Sequence, residues 1–236
     1  MKNYSICELK NIFDIKIKEN GWRNLYRQSC INYTGYVKDT KTYYSEELAG
    51  LILNEIDILK NGNWNTNRAR ESYKVHHDTS KRIGSQSCRI EELEATEIYN
   101  LKHFLNIGEI KDYQTPLCSK KKDSLGKIDL LAYDKNKNVM RIIEFKREDS
   151  KETILRCILE TYTYKRLVEY NKIKFLDDFS IPNNAQIIPS ILIYSTSFAY
   201  KQYQDNKLKN IHKLIEELGI EILEVKKRST YSIERV

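Results

Sequence analysis

The chain has 236 residues, with 40 lysines and arginines against 33 aspartates and glutamates, a formal net charge of +7, and 40% hydrophobic and 31% charged residues. That length supports a full core without disulfide or metal staples, and the composition excludes a disordered chain. A charge this modest is compatible with a polyanionic partner but does not establish one. The five cysteines are far apart and never form a Cys-x-x-Cys pair, so neither a disulfide framework nor a zinc site is indicated. The first ten residues lack the apolar core of a signal peptide, and no apolar run is long enough to span a bilayer, so a cytoplasmic protein with no membrane partner is expected.

In chain order, the first legible element is a helix over 45–60, with Ser45 as N-cap, apolar residues at Leu48, Leu51, Ile52, Ile56 and Leu59, and Asn61-Gly62 as its stop. Before it, Trp22, Tyr26, Tyr33, Tyr36, Tyr43 and Tyr44 lie among lysines and arginines, a pattern open to a small sheet or to an irregular wrap. Residues 61–82 have no periodicity and read as a loop or junction. His76-His77-Asp78 within that loop has no complementary ligand cluster nearby and reads as solvated. Trp64, Arg68, Arg70 and Tyr73 mix aromatics with bases as nucleic-acid contact loops do, although a loop merely solvated by its own charges is the better reading. A second helix over 88–105 carries Glu91, Glu94 and Glu97 on or near its apolar face, with Gly108 just past its end. Residues 109–117 form a strand ending at Pro116, followed by a basic turn with Lys120, Lys121 and Lys122.

Two strands follow, Lys127 to Tyr133 and Val139 to Lys146, joined by the turn residues Asp134 to Asn138. Glu144 and Lys146 are two residues apart and project from one face of the second strand. A four-residue loop closed by Asp134 opposite Val139 pairs Ala132 with Arg141 and Asp129 with Glu144, which puts both carboxylates on one face. Cross-strand Cβ atoms in such a pair are about 4.5 to 5.5 Å apart. At that separation the carboxylates repel unless positive charge lies between them, and Mg²⁺ or Mn²⁺ with water and phosphate oxygens would serve. Lys146 beside them supplies a point charge for a phosphate or an attacking water. Read as a polar-face charge, it should be removable with little cost to folding.

After the hairpin, Asp149 and Glu152 read as a capping pair for a long amphipathic helix over 151–170. Residues 186–195 form an apolar strand buried on both faces, 205–218 a helix stopped by Gly219, and 220–225 a last strand before a polar tail.

An Asp on one strand and Glu144-Phe145-Lys146 on the next resembles the active-site signature of the PD-(D/E)XK nuclease superfamily, with Ile128 where the family name has Pro. The element order from Cys88, α-β-β-β-α-β-α-β, is similar in its first six members to the αβββαβ restriction-endonuclease-like core. The resemblance covers roughly Cys88 to Tyr194 and leaves the N-terminal third aside. It implies an α/β fold with a central mixed sheet flanked by helices over 86–236, preceded by an extension over 1–85. It further implies a nuclease acting on DNA ahead of RNA. Asp129, Glu144 and the carbonyl of Phe145 would hold the metal, with Glu91, or else Glu94, as a further donor. Lys146 would act in catalysis, and Arg156, Tyr164 and Lys120 to Lys122 would meet nucleic acid. Glu91 and Glu94 read equally well as flank charges, and Arg156 and Tyr164 as surface or core-edge residues. A module on the same fold that binds nucleic acid or protein without cutting is the alternative, and a homodimer is left open.

Overall fold

The computed structural model describes residues 3–62, 64, 90–117, 126–227 and 229–236. In chain order these form α1 (Ile6–Asn20), two 3-10 turns (Trp22–Arg27, Ser29–Asn32), α2 (Tyr44–Asn54), α3 (Ile56–Asn61), α4 (Ile90–Leu101), β1 (His103–Phe104), β2 (Gly108–Pro116), β3 (Lys127–Asp134) and β4 (Val139–Lys146). Then come α5 (Ile154–Tyr170), α6 (Lys172–Asp178), β5 (Gln186–Ile193), α7 (Phe198–Tyr203), α8 (Lys209–Leu218), β6 (Glu221–Lys227) and β7 (Tyr231–Arg235). The elements fall into two compact units: Met1–Asn63 with Glu148–Glu160 and Ser195–Ile220, and Trp64–Arg147 with Thr161–Tyr194 and Glu221–Val236. The expected boundary at 85/86 lies outside the described residues.

The first unit is helical. Ser5 and Glu8 form a capping box at the start of α1, which buries Leu9 and Phe13. The aromatic stretch before α2 is irregular, with the two 3-10 turns and a single bridge between Tyr36 and Tyr43. The helix expected over 45–60 is divided at Glu55, whose φ of −119° leaves helical geometry. Ser45 is not its N-cap, because Tyr43 holds that position and Ser45 is buried inside the first turn. Its hydroxyl accepts from Gln202 Nε2 at 2.9 Å, and Gln202 Oε1 accepts from the Ile154 amide at 3.0 Å. The capping pair expected at Asp149 and Glu152 is replaced by Thr153, whose hydroxyl accepts from the Arg156 amide at 3.3 Å. Glu46 is buried with its carboxylate on the amides of Asn210 and Ile211 at 2.8 and 3.1 Å, two donors that the first turn of α8 cannot satisfy internally. Burial pushes its carboxyl up, and the two amide bonds oppose that.

The second unit is α/β, with a seven-stranded mixed sheet in the order β1-β2-β3-β4-β5-β6-β7 flanked by helices. The pairs from β1 to β4 are antiparallel, β5 joins β4 and β6 joins β5 in parallel, and β7 returns antiparallel on β6. The step from β4 to β5 passes through α5 and α6, since a parallel pair needs a crossover. All eight residues of β4 are buried, as a central strand requires. Arg141 among them is fully enclosed and held by Glu221 at 2.6 Å and by the Ile107 carbonyl at 3.3 Å. The sheet curls toward closure, so that Asn106, in the turn after β1, donates to the Ile233 carbonyl of β7 at 2.8 Å. Two expectations are corrected here. The helix expected over 88–105 ends at Leu101, where Lys102 takes a φ of 64° and the chain turns into β1. The polar tail expected after 225 instead includes a strand, β7, which buries Tyr231 and Ile233.

Candidate active site

The register of β3 on β4 is the one that the loop length dictates: Asp134 faces Val139, Ala132 faces Arg141 and Leu130 faces Ile143. Carried one place past the last pair of the ladder, that register brings Asp129 to the level of Glu144, and the Phe145 amide donates to Asp129 Oδ2 at 3.0 Å. On the other side Tyr113 faces Leu130 and Thr115 faces Ile128, so Gln114 of β2 stands opposite Asp129. Gln114, Asp129 and Glu144 thus form a row across three strands. Leu130, Ala132, Ile143 and Phe145, on the other face, share a core with Ala95, Ile98 and Tyr99 of α4.

Charge in this row is almost wholly removed from water. Asp129 is 7% exposed, Glu144 3% and Lys146 5%. Lys146 is therefore not a polar-face charge as expected. Its ammonium lies 2.7 Å from Glu144 Oε1 and 3.4 Å from Oε1 of Glu91, at the start of α4. Buried ions of this kind persist only when paired and hydrogen-bonded. Asp129 meets that condition through both oxygens: Oδ1 accepts from Gln114 Nε2 at 2.8 Å, and Oδ2 from the Phe145 amide at 3.0 Å.

Gln114 holds a left-handed backbone, φ 49°, in the middle of β2. For a residue with a Cβ that costs about 1–2 kcal/mol, and sequence reasoning attached no role to it. A buried bond from the Thr115 hydroxyl to Asp112 Oδ2 at 2.6 Å spans the distortion.

The other expected site residues are distributed as follows. Glu94 accepts from the Tyr194 hydroxyl at 3.1 Å, so of the two glutamates Glu91 is the one at Lys146. Burial, and then the Glu94 charge, push the Tyr194 phenol far above its ordinary value and keep it a donor. Tyr164 is buried with its hydroxyl against Gly126 at the entrance to β3, where φ is 100° and a Cβ would collide with that hydroxyl. Arg156 is engaged with Glu152, just before its helix, at 3.2 Å and with Glu160, one turn further along it, at 3.7 Å. Lys120, Lys121 and Lys122, with Arg68, Arg70, Tyr73, His76, His77 and Asp78, lie outside the described residues.

Among the described residues, no group of three or more His, Cys, Asp or Glu side chains has metal-holding geometry. Mg²⁺ needs only one or two carboxylates, completed by carbonyl, water or phosphate oxygens. The all-oxygen donor set of Asp129, Glu144 and the Phe145 carbonyl fits that requirement, whereas it would suit a softer metal poorly. Among the described residues no helix is long and apolar enough to cross a membrane. No family model, no curated protein and no solved structure matches the chain.

Proposed function

We propose that this chain is a metal-dependent nuclease with a PD-(D/E)XK-type site on a restriction-endonuclease-like core, hydrolysing phosphodiester bonds in DNA ahead of RNA. The observation that carries the reading is the burial of Asp129, Glu144 and Lys146 at facing ends of β3 and β4, with Lys146 bonded to Glu144. Burying three ionisable side chains together is costly, and clusters of this kind gather at sites of chemistry.

Asp129 and Glu144, with the Phe145 carbonyl, would hold Mg²⁺ or Mn²⁺. Bound there, the ion would supply charge stabilisation at the scissile phosphate and would lower the pKa of a water. Asp129 enters this role with its plane already set by Gln114 and the Phe145 amide. The Lys146 ammonium, held between Glu144 and Glu91, donates toward the attacking water or toward charge developing on the phosphoryl oxygens. Glu91 steadies that ammonium from α4. In a site so poorly hydrated each of these interactions is stronger than it would be in water.

The test is cleavage of single- and double-stranded DNA and RNA with Mg²⁺ or Mn²⁺. Wild type should nick or degrade at least one of these, EDTA should abolish cutting, and Asp129→Asn and Glu144→Gln should each lower the rate by roughly 100-fold or more. A wild-type protein that binds these nucleic acids in a salt-dependent way, yet cuts none of them in either metal, would assign the fold to a non-catalytic binder instead.

A further inference from the structure

We infer that Gln114 is a positioning residue of this site, fixing the carboxylate plane of Asp129 for the cation, an assignment that rests on the nuclease reading above. Three observations converge on it. Gln114 stands across from Asp129 in the β2–β3 register and donates its amide to Oδ1 at 2.8 Å. It does so from a left-handed backbone, φ 49°, within a strand whose register also shifts between Ile110 and Asp112. The distortion is held by a device of its own, the bond between the fully buried Asp112 and Thr115 on either side of it. Strained backbone of this kind persists where its surroundings enforce it, and such places concentrate at functional sites.

The chemistry suits a ligand's outer partner. A carboxylate has about four lone-pair positions. Gln114 takes one on Oδ1 and the Phe145 amide one on Oδ2, so the plane is set through both oxygens. The amide is a neutral donor and does not cancel the charge that would draw a cation. Partners that orient a metal ligand in this way typically matter about 10- to 100-fold in metal affinity or activity.

Gln114→Gly separates positioning from simple stabilisation, because glycine adopts positive φ without strain. The full-length chain should remain cooperatively folded with its urea midpoint somewhat lowered, because Asp129 Oδ1 loses a buried partner, while the Mn²⁺ affinity of the folded protein, titrated calorimetrically, falls about 10- to 100-fold and cleavage at fixed Mn²⁺ falls with it. Gln114→Asn retains an amide on a residue that tolerates the left-handed region, and should recover at least about threefold of the affinity lost in Gln114→Gly, within that same range. A Gln114→Gly protein that binds Mn²⁺ as tightly as an active wild type would overturn the assignment and leave the nuclease reading standing. So would an absence of any recovery of affinity in Gln114→Asn. A wild type that neither binds Mn²⁺ nor cuts would overturn both.

Discussion

Lys146 shows how burial changes what a substitution measures. With the ammonium 2.7 Å from a carboxylate that is itself enclosed, Lys146→Ala does more than remove one charge, because it takes the ammonium away from the buried Glu144 carboxylate. Breaking a buried pair on one side costs about 3–5 kcal/mol, so Lys146→Ala should lower the urea midpoint markedly. The pair replacement Glu144→Gln with Lys146→Met should recover most of that loss while remaining inactive in cleavage. If Lys146→Ala is as stable as wild type, the ion pair contributes nothing to the fold. At this scale the pairing of Asp129 with Glu144 was legible because a four-residue loop with turn chemistry admits one parity. Gln114 was not, since a glutamine between Tyr113 and Thr115 carries none of the glycine or asparagine signature of positive φ. Nor was the depth of Lys146, because burial depends on what packs over the strand.

β7 and the helix it meets are tied by side chains rather than by sequence proximity. Glu97 of α4 accepts from the Tyr231 hydroxyl at 2.5 Å and from Lys227 Nζ at 2.9 Å. These two donors, the tyrosine first, hold its carboxyl below the ordinary glutamate value of 4.5. A depressed carboxyl contributes stability above its unfolded value and loses it as pH falls through the folded one. Glu97→Gln should therefore be less stable than wild type at neutral pH, by less than about 1 kcal/mol because the Lys227 and Glu97 side chains are half exposed. The difference should vanish on acidification below 4.5, which urea unfolding across pH would show. Gly108, at the head of β2, has φ 89°, and a Cβ there would meet the backbone carbonyl of Tyr133. Gly108→Ala should cost at least about 1–3 kcal/mol, because backbone cannot swing aside as a side-chain tip can. β2 to β5, α5 and α8 were legible from periodicity and turn residues. β7 was not, because Ser-Thr-Tyr-Ser-Ile-Glu-Arg-Val has too few apolar residues to declare itself without the partner strand β6. The break at Glu55 was also hidden, since the apolar spacing runs through it unchanged.

For the molecule as a whole, any nucleic-acid binding should weaken linearly in log affinity against log salt, because it counts phosphate contacts and not catalysis. Replacing Lys120, Lys121 and Lys122 together with alanine should reduce that slope by about 2.7 if all three meet phosphates of duplex DNA, and by nothing if they do not. Filter binding at several salt concentrations reads the difference. Time is the other quantity written into the topology. The carboxylate of Glu46 finds its amide partner at Asn210, 164 residues later, and Glu97 finds Tyr231 134 residues later. At 5–20 residues per second, a nascent chain waits roughly 8 to 33 s between making Glu46 and making the helix start that it caps. Contacts so distant in sequence also slow the search once the chain is free. During synthesis the hairpin bearing Asp129 and Glu144 therefore emerges well before the strands that enclose its core, and a chain released early would expose those carboxylates without the shelter that buries them in the fold.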